Sequence, residues 1–288
     1  MLNEEKLREI CHLAARLRRD IILMVGVGQT GHIGGSCSSA DIVAALYGYK
    51  MKHDPKNPKW DGRDRFLMSK AHSAIVQYAA LAESGYFPAS ELLTLKKLGS
   101  ILQGHPEYHR TPGIEATSGS LGQGLSISNG MALAMRLDKR SSRVFCILGD
   151  GELAEGQVWE AAMFAPAKKV DNLVAIVDNN GIQATGAVKD RMDSGPLPEK
   201  WRAFRWHVIE IDGNDVQAVV AALDEAETIK GQPTAIIAHT VKGKGISFAE
   251  NKVAFHNGAM TQEQYDLALK ETNAAIAKFA PAPTTKAN

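Results

Sequence analysis

The chain has 288 residues, of which 44% are apolar and 23% charged, a composition that excludes a disordered or low-complexity protein. At roughly 100 to 200 residues per domain, this length gives one large domain or two small ones, with no disulfide or metal needed to complete a core. Thirty-three Lys and Arg against 32 Asp and Glu leave a charge of +1, so no overall field draws the chain to nucleic acid or to an anionic membrane.

The amino terminus, with Leu2, Asn3, Glu4 and Glu5, reads as neither a secretory nor a mitochondrial presequence. Leu7, Ile10, Leu13, Leu17 and Ile21 recur at helical spacing behind Asn3 as a cap, with Glu4 and Glu5 in the first turn. That pattern predicts an amphipathic helix. Residues 21–40 lack charge but hold Gly26, Gly28, Gly31, Gly34 and Gly35 among polar side chains, which does not make a membrane span. Residues 41–49 predict a further helix, 53–64 a loop with Pro55 and Pro58, and 73–85 a buried helix. Four runs rich in branched residues, 144–148, 173–177, 208–211 and 234–238, predict buried strands. Stretches 159–169 and 216–230 have the length of crossover helices, so the expected class is α/β, a parallel central sheet with helices on both faces. Residues 281–288, with Pro281 and Pro283, read as a flexible tail. Cys11, Cys37 and Cys146 are too few and too scattered for a disulfide framework or a thiolate metal site, which suits a reducing cytoplasm.

Gly26, Gly28 and Gly31 satisfy a dinucleotide-binding glycine pattern, but that pattern needs a strand before it and here a helix is predicted, so it is rejected. A stronger signal is Gly149-Asp150-Gly151 directly after one predicted strand and Asn179-Asn180 directly after the next. Ligands of an open parallel sheet bind at the carboxyl ends of strands. Asp150, Asn180 and a nearby main-chain carbonyl therefore suit a hard cation, Mg2+ or Ca2+, better than zinc. The glycines bring an amide close to a phosphate, with a helix expected to begin near Glu152 and to aim its positive end the same way. Either turn alone is commonplace.

Paired at this spacing, the two turns resemble the thiamine diphosphate fingerprint. Further segments, in colinear order over about residues 5–270, resemble transketolase: 30–36, 63–66, Ser69-Lys70-Ala71-His72, 103–107, 112–124, Glu155-Gly156, Trp159-Glu160-Ala161, 242–245 and Phe255-His256. The resemblance implies a thiamine diphosphate-binding fold, with residues 1–280 as the diphosphate-binding (PP) domain. It also implies residue roles. Asp150, Asn180 and the carbonyl of Ile182 would ligate Mg2+ or Ca2+, and Gly151 and Asn180 would hold the diphosphate. His72 and His256 would lie beside the cofactor, and His32, His105 and His256 would face substrate oxygens and act in catalysis. Gly119 and Leu121 would contact the cofactor rings. Glu155, counted with the cofactor residues, would join Glu160 at a subunit interface as part of a proton network. Imidazoles suit the proton transfers and alkoxides of such chemistry. Ile33, Ala71 and Arg205 depart from the usual proline, glycine and glycine; Ala71 is expected to shift His72, and Arg205 to alter the fit to substrate or partner.

The activity implied is transketolase: a two-carbon ketol unit passes from a ketose (phosphate) to an aldose (phosphate) through a dihydroxyethyl adduct of thiamine diphosphate. The resemblance also implies a companion C-terminal subunit carrying the pyrimidine-binding domain, a 2+2 heterotetramer, a place in pentose phosphate metabolism and a cytoplasmic location. Two rivals are a 1-deoxyxylulose-5-phosphate synthase-like enzyme and a non-catalytic cofactor-binding subunit.

Overall fold

The computed structural model describes residues 2–281; beyond Pro281, the expected tail lies outside them. Helix α1 (Glu4–Val25) starts as its sequence dictates, with the Asn3 side chain accepting from the Lys6 N–H at 2.8 Å, the usual remedy for an orphan first-turn amide. Ile10, Ala14, Leu17 and Ile21 line its buried face. Gly26 ends it at φ +64°, a left-handed conformation that costs other residues a Cβ clash. The glycines at 26, 28 and 31 therefore follow a helix.

The predicted helix at 41–49 is built from more than one piece. A short α2 (Ile33–Ser38) leads into α3 (Ala40–Ala45), which widens into a π turn at Leu46–Lys50. Strand β1 (Arg65–Met68), α4 (Ala74–Glu83) and α5 (Gln123–Leu137) follow. Next come β2 (Val144–Gly149), α6 (Gly156–Ala167) and β3 (Leu173–Asn179), then a small hairpin of β4 (Ile182–Gln183) and β5 (Gly186–Ala187). The chain closes with α7 (Leu197–Ala203), β6 (His207–Asp212), α8 (Val216–Thr228), β7 (Thr234–His239) and α9 (Gln262–Phe279).

Strands β1, β2, β3, β7 and β6 lie side by side in that order, each pair parallel. The four predicted strands all form, and β1, which begins within the 63–66 motif, is a fifth. Because both faces are covered, β3 serves two cores with alternate residues. Val174 and Ile176 join the cluster with α1, α3, α4 and α8, while Leu173, Ala175 and Val177 join the one with α5, α6 and α7. Each of the Val, Leu and Ile side chains among them contributes about 1.5–3 kcal/mol on burial, which is why residues 173–177 are continuously apolar.

This topology positions the site. The α6 crossover from β2 to β3 lies on one face and the α8 crossover from β6 to β7 on the other, so β3 and β7 flank the point where the winding reverses. At such a point the loops beyond the strand ends diverge and leave a crevice. Among the described residues, no helix is long and apolar enough to cross a membrane.

Candidate functional site

The carboxyl ends of β1, β2, β3 and β7 deliver Lys70 and His72, Asp150 and Gly151, Asp178 and Asn180, and Lys242 into one neighbourhood. A cavity of about 290 Å3 lies there. Its wall includes Gly35, Lys70, His72, Leu121, Asp150, Gly151, Asn180, Ile182, Lys242 and His256.

The two loop tips on which the sequence reading depends meet directly. Asp150 Oδ2 accepts from the Gly181 N–H at 2.5 Å and Oδ1 from the Gly151 N–H at 2.7 Å, and the Asp150 N–H donates to the Asp178 carbonyl at 3.3 Å. Asn180 Oδ1 accepts from the Ile182 N–H at 3.2 Å, and its Nδ2 donates to Asp178 at 3.1 Å. No α-helix begins at Glu152; a tight turn over Gly151–Ala154 intervenes and α6 starts at Gly156.

Asp150, Asn180 and Ile182 share the cavity wall, and a set made of the Asp150 carboxylate, the Asn180 amide oxygen and the Ile182 carbonyl has the all-oxygen chemistry that fits Mg2+ or Ca2+. The charge distribution agrees. Burial first, then the neighbouring Asp178 charge, pushes the Asp150 carboxyl up to about 6. A buried carboxylate in that condition gains most from a cation beside it. The Lys242 ammonium already rests on the Ile182 carbonyl at 2.8 Å. Among the described residues, no group of three or more His, Cys, Asp or Glu side chains is arranged to hold a metal; the expected set instead uses one carboxylate, one amide oxygen and one main-chain carbonyl.

Three imidazoles pack over this floor. Ring centroids are 5.0 Å apart for His32 and His72, 5.1 Å for His72 and His256, and 5.5 Å for His32 and His256. Burial, followed by the Lys70 charge and the neighbouring rings, lowers His72 to about 2. Burial with His256 and Lys96 lowers His32 to about 4, and burial with Lys242 and Lys70 lowers His256 to about 4. All three are neutral at pH 7 and able both to accept and to donate. His256 Nδ1 lies 3.1 Å from Lys242 Nζ, so that nitrogen is the acceptor and Nε2 carries the proton.

His105 is exposed, and its ring faces Gly119, where an added Cβ would lie 3.7 Å from it. Leu121 lines the cavity. Neither His32, His105 nor Gly119 lines the cavity itself. Glu155 and Glu160 are exposed at the start of α6, and the fold does not bring Glu155 into the cavity.

Four polar residues that organise this site carry no role in the sequence analysis, although two of them, Lys70 and Lys242, stand inside its motifs. Asp178 is fully buried and binds Lys70 Nζ at 2.5 Å, Ser38 Oγ at 2.6 Å and the Thr240 hydroxyl. Burial raises its carboxyl, but the Lys70 charge and these hydrogen bonds outweigh that and hold it below the usual range. Glu152 is equally buried, accepting from Ser69 Oγ, from the Gly122 N–H at 2.7 Å and from the Gly149 N–H at 3.0 Å. It ties the loop of Leu121 to the end of β2. Lys70 and Lys242 are each only 2% exposed, and burial with the Lys70 charge lowers Lys242 to about 8. Position offered a signal for the other two as well, since Asp178 and Glu152 adjoin Asn179-Asn180 and Gly149-Asp150-Gly151.

The departures behave differently from one another. Ala71 is fully buried and its φ is not positive, so no backbone strain demands glycine there. Ile33 occupies the first position of α2, where proline is well tolerated because that N–H has no intrahelical partner. Arg205 takes φ +66° just before β6, at the opposite end of the sheet from the cavity. It is not positioned to touch a substrate bound there.

The comparisons with known proteins say which family builds a parallel sheet with this crevice. Residues 12–279 match the thiamine diphosphate binding domain of transketolase. The chain belongs to the transketolase family. It is 44% identical to the 6-deoxy-6-sulfo-D-fructose transketolase subunit SqwG of Clostridium sp. strain MSTE9, over 91% of this chain and 96% of that one. Identity is 38% with one subunit of the apulose-4-phosphate transketolase of Phocaeicola vulgatus, over 91% of this chain and 93% of that subunit. The crystal structure of Campylobacter jejuni transketolase superposes with a TM-score of 0.85 at 30% identity, covering 96% of this chain but 46% of that enzyme. The chain thus spans under half the length of the solved transketolase and nearly all of the two subunits.

Proposed function

We propose that this chain is the N-terminal subunit of a two-chain transketolase. Its partner would be a C-terminal subunit carrying the pyrimidine-binding domain, in a 2+2 heterotetramer that joins two copies of this chain. The observation that carries the reading is the meeting of the Asp150 and Asn180 loops, through the Asp150–Gly181 hydrogen bond, beneath three neutral imidazoles. Support for a companion comes from relatives that match over nearly their full length and are themselves named as subunits.

Thiamine diphosphate would supply the nucleophilic carbon that carries a two-carbon ketol unit from a ketose (phosphate) to an aldose (phosphate). In this reading residues 1–280 act as one diphosphate-binding domain. Asp150, Asn180 and the Ile182 carbonyl hold Mg2+ or Ca2+, and Gly151, Asn180 and His72 hold the diphosphate. Leu121 and Gly119 face the cofactor rings. His32, His105 and His256 hold substrate hydroxyls, and the low proton affinity of His32 and His256 leaves them free to take up a proton at pH 7 and return it. Glu155 and Glu160, exposed on α6, would meet another subunit. The free thiols Cys11, Cys37 and Cys146 support a cytoplasmic setting, and pentose phosphate metabolism is the expected context.

The test is calorimetric titration of thiamine diphosphate into the purified chain with and without Mg2+, followed by a ketol-transfer assay in the presence of the companion chain. Metal-dependent binding and turnover only in the pair are expected. Full turnover by this chain alone, or cofactor binding indifferent to divalent metal, would overturn the assignment.

A further inference from the structure

Lys96 has entered so far only as a charge near His32. It lies on the loop after residues 89–94, with φ +61°, a left-handed conformation that costs a non-glycine residue about 1–2 kcal/mol. The loop is nevertheless well held. Lys96 donates its N–H to the Leu102 carbonyl at 2.8 Å, Leu95 and Leu102 are buried, and the Tyr78 hydroxyl donates to the Gln103 carbonyl at 2.9 Å.

From this anchored base the side chain reaches across to the glycine-rich segment after α1. Lys96 Nζ donates to the Thr30 carbonyl at 2.8 Å, two residues before His32. Residues 26–31 include Gly26 and Gly28 at positive φ with nothing near their missing side chains, and Val27 is 47% exposed. On one side this segment is fastened by paired hydrogen bonds between Gly31 and Gly258 and by the Gly28 N–H on the Met260 carbonyl. Those bonds register His32 against His256. On the other side the fastening is Lys96, whose Cε also passes 3.6 Å from the position a Gly104 Cβ would take, immediately before His105. One side chain therefore spans the two loops that carry His32 and His105.

We propose that Lys96 is a positioning residue that fixes His32 relative to His105 by bridging their loops; the proposal rests on the transketolase reading for the importance of that spacing. Misplacing a reacting group by 1 Å costs about 100-fold in rate, so partial loosening of this tie is expected to cost about tenfold. Lys96 does not line the cavity that holds Asp150 and Lys242, and cofactor affinity is accordingly independent of it.

The experiment compares Lys96→Met and Lys96→Arg. With the companion chain present, Lys96→Met loses about tenfold in kcat/KM, Lys96→Arg recovers most of it, and the thiamine diphosphate Kd of both stays within about twofold of the parent. In the isolated chain labelled with 15N-histidine, Lys96→Met shifts the His32 and His105 imidazole resonances and leaves that of His239 in place. Unmoved His32 and His105 resonances, or an equal loss in both variants, would refute the role of Lys96. A parent pair without ketol transfer would count against the proposed function instead, and the resonances would still decide the positioning claim.

Discussion

The two ends of the central sheet both bury charge, and they do so to opposite effect. At the amino end, Arg63 forms a two-pronged ion pair with Glu115 at 2.8 and 2.7 Å, and Asp64 accepts the N–H groups of Lys52 and Arg143 at 2.8 and 2.7 Å. These are closed arrangements in which each carboxylate meets its donors. At the carboxyl end, Lys70 and Asp178 pair, but Asp150 has only amides, Lys242 only a carbonyl and an imidazole, and three histidines are too desolvated to charge. Burial raises the Glu115 and Asp64 carboxyls as it raises Asp150, but at the first end the partners are already in place, whereas the second leaves charge that a divalent cation and a diphosphate would complete on binding.

The sharpest way to break that comparison is to exchange one carboxylate at each end. Asp150→Ala is expected to weaken Mg2+-dependent thiamine diphosphate binding by more than about 100-fold, beyond what loss of an outer-sphere contact costs a metal site. Its thermal midpoint without ligand should not fall. Glu115→Gln should do the reverse, removing about 3 kcal/mol of stability by stranding a buried guanidinium while leaving the cofactor Kd unchanged. Calorimetric titration and urea unfolding of both variants decide the matter. A large stability loss in the first, or a binding loss in the second, would erase the distinction.

Legibility in the sequence follows the same division. The strands were readable because residues buried on two faces must be apolar throughout, as 144–148 and 173–177 are. Chemistry-bearing turns were readable because they sit directly at strand ends. What escaped was held together by burial of polar atoms, which leaves no periodic trace. Lys70, Lys242, Asp178 and Glu152 each resemble a surface residue until the fold closes around them. Strand β1 escaped for being four residues long and beginning with Arg65, and α5 because its buried face includes Gly124, Ser128 and Asn129. Helix α9 was readable in principle, since Thr261 and Gln264 form a capping box.

Acid should expose the carboxyl end before the amino end. His72 titrates near 2 when folded and near 6.5 when unfolded, so the unfolded chain binds the extra proton. Stability therefore rises with pH up to about 6.5 and falls as the pH drops below it. His32 and His256 act in the same direction, while Asp150, raised to about 6, opposes them between about 4 and 6. In His72→Gln the drop in melting temperature between pH 7 and pH 5 should be shallower than in the parent. Parallel curves for the two proteins would show that this histidine is not held neutral by its surroundings.

The smallest effect is expected at Arg205, on the quiet end. There the chain leaves α7 with φ +66°, and the Arg205 N–H donates to the Arg202 carbonyl at 2.8 Å, a helix-ending turn that usually belongs to glycine. Arginine bears a Cβ clash of about 1–2 kcal/mol in that conformation, whereas glycine gives back part of the difference through the greater freedom of its unfolded chain. Arg205→Gly should therefore gain about 0.5–1 kcal/mol in urea unfolding, with the cofactor Kd unaltered because the cavity opens at the other end of the sheet. A destabilised variant would mean that the exposed guanidinium makes a contact within the chain worth more than the strain it imposes.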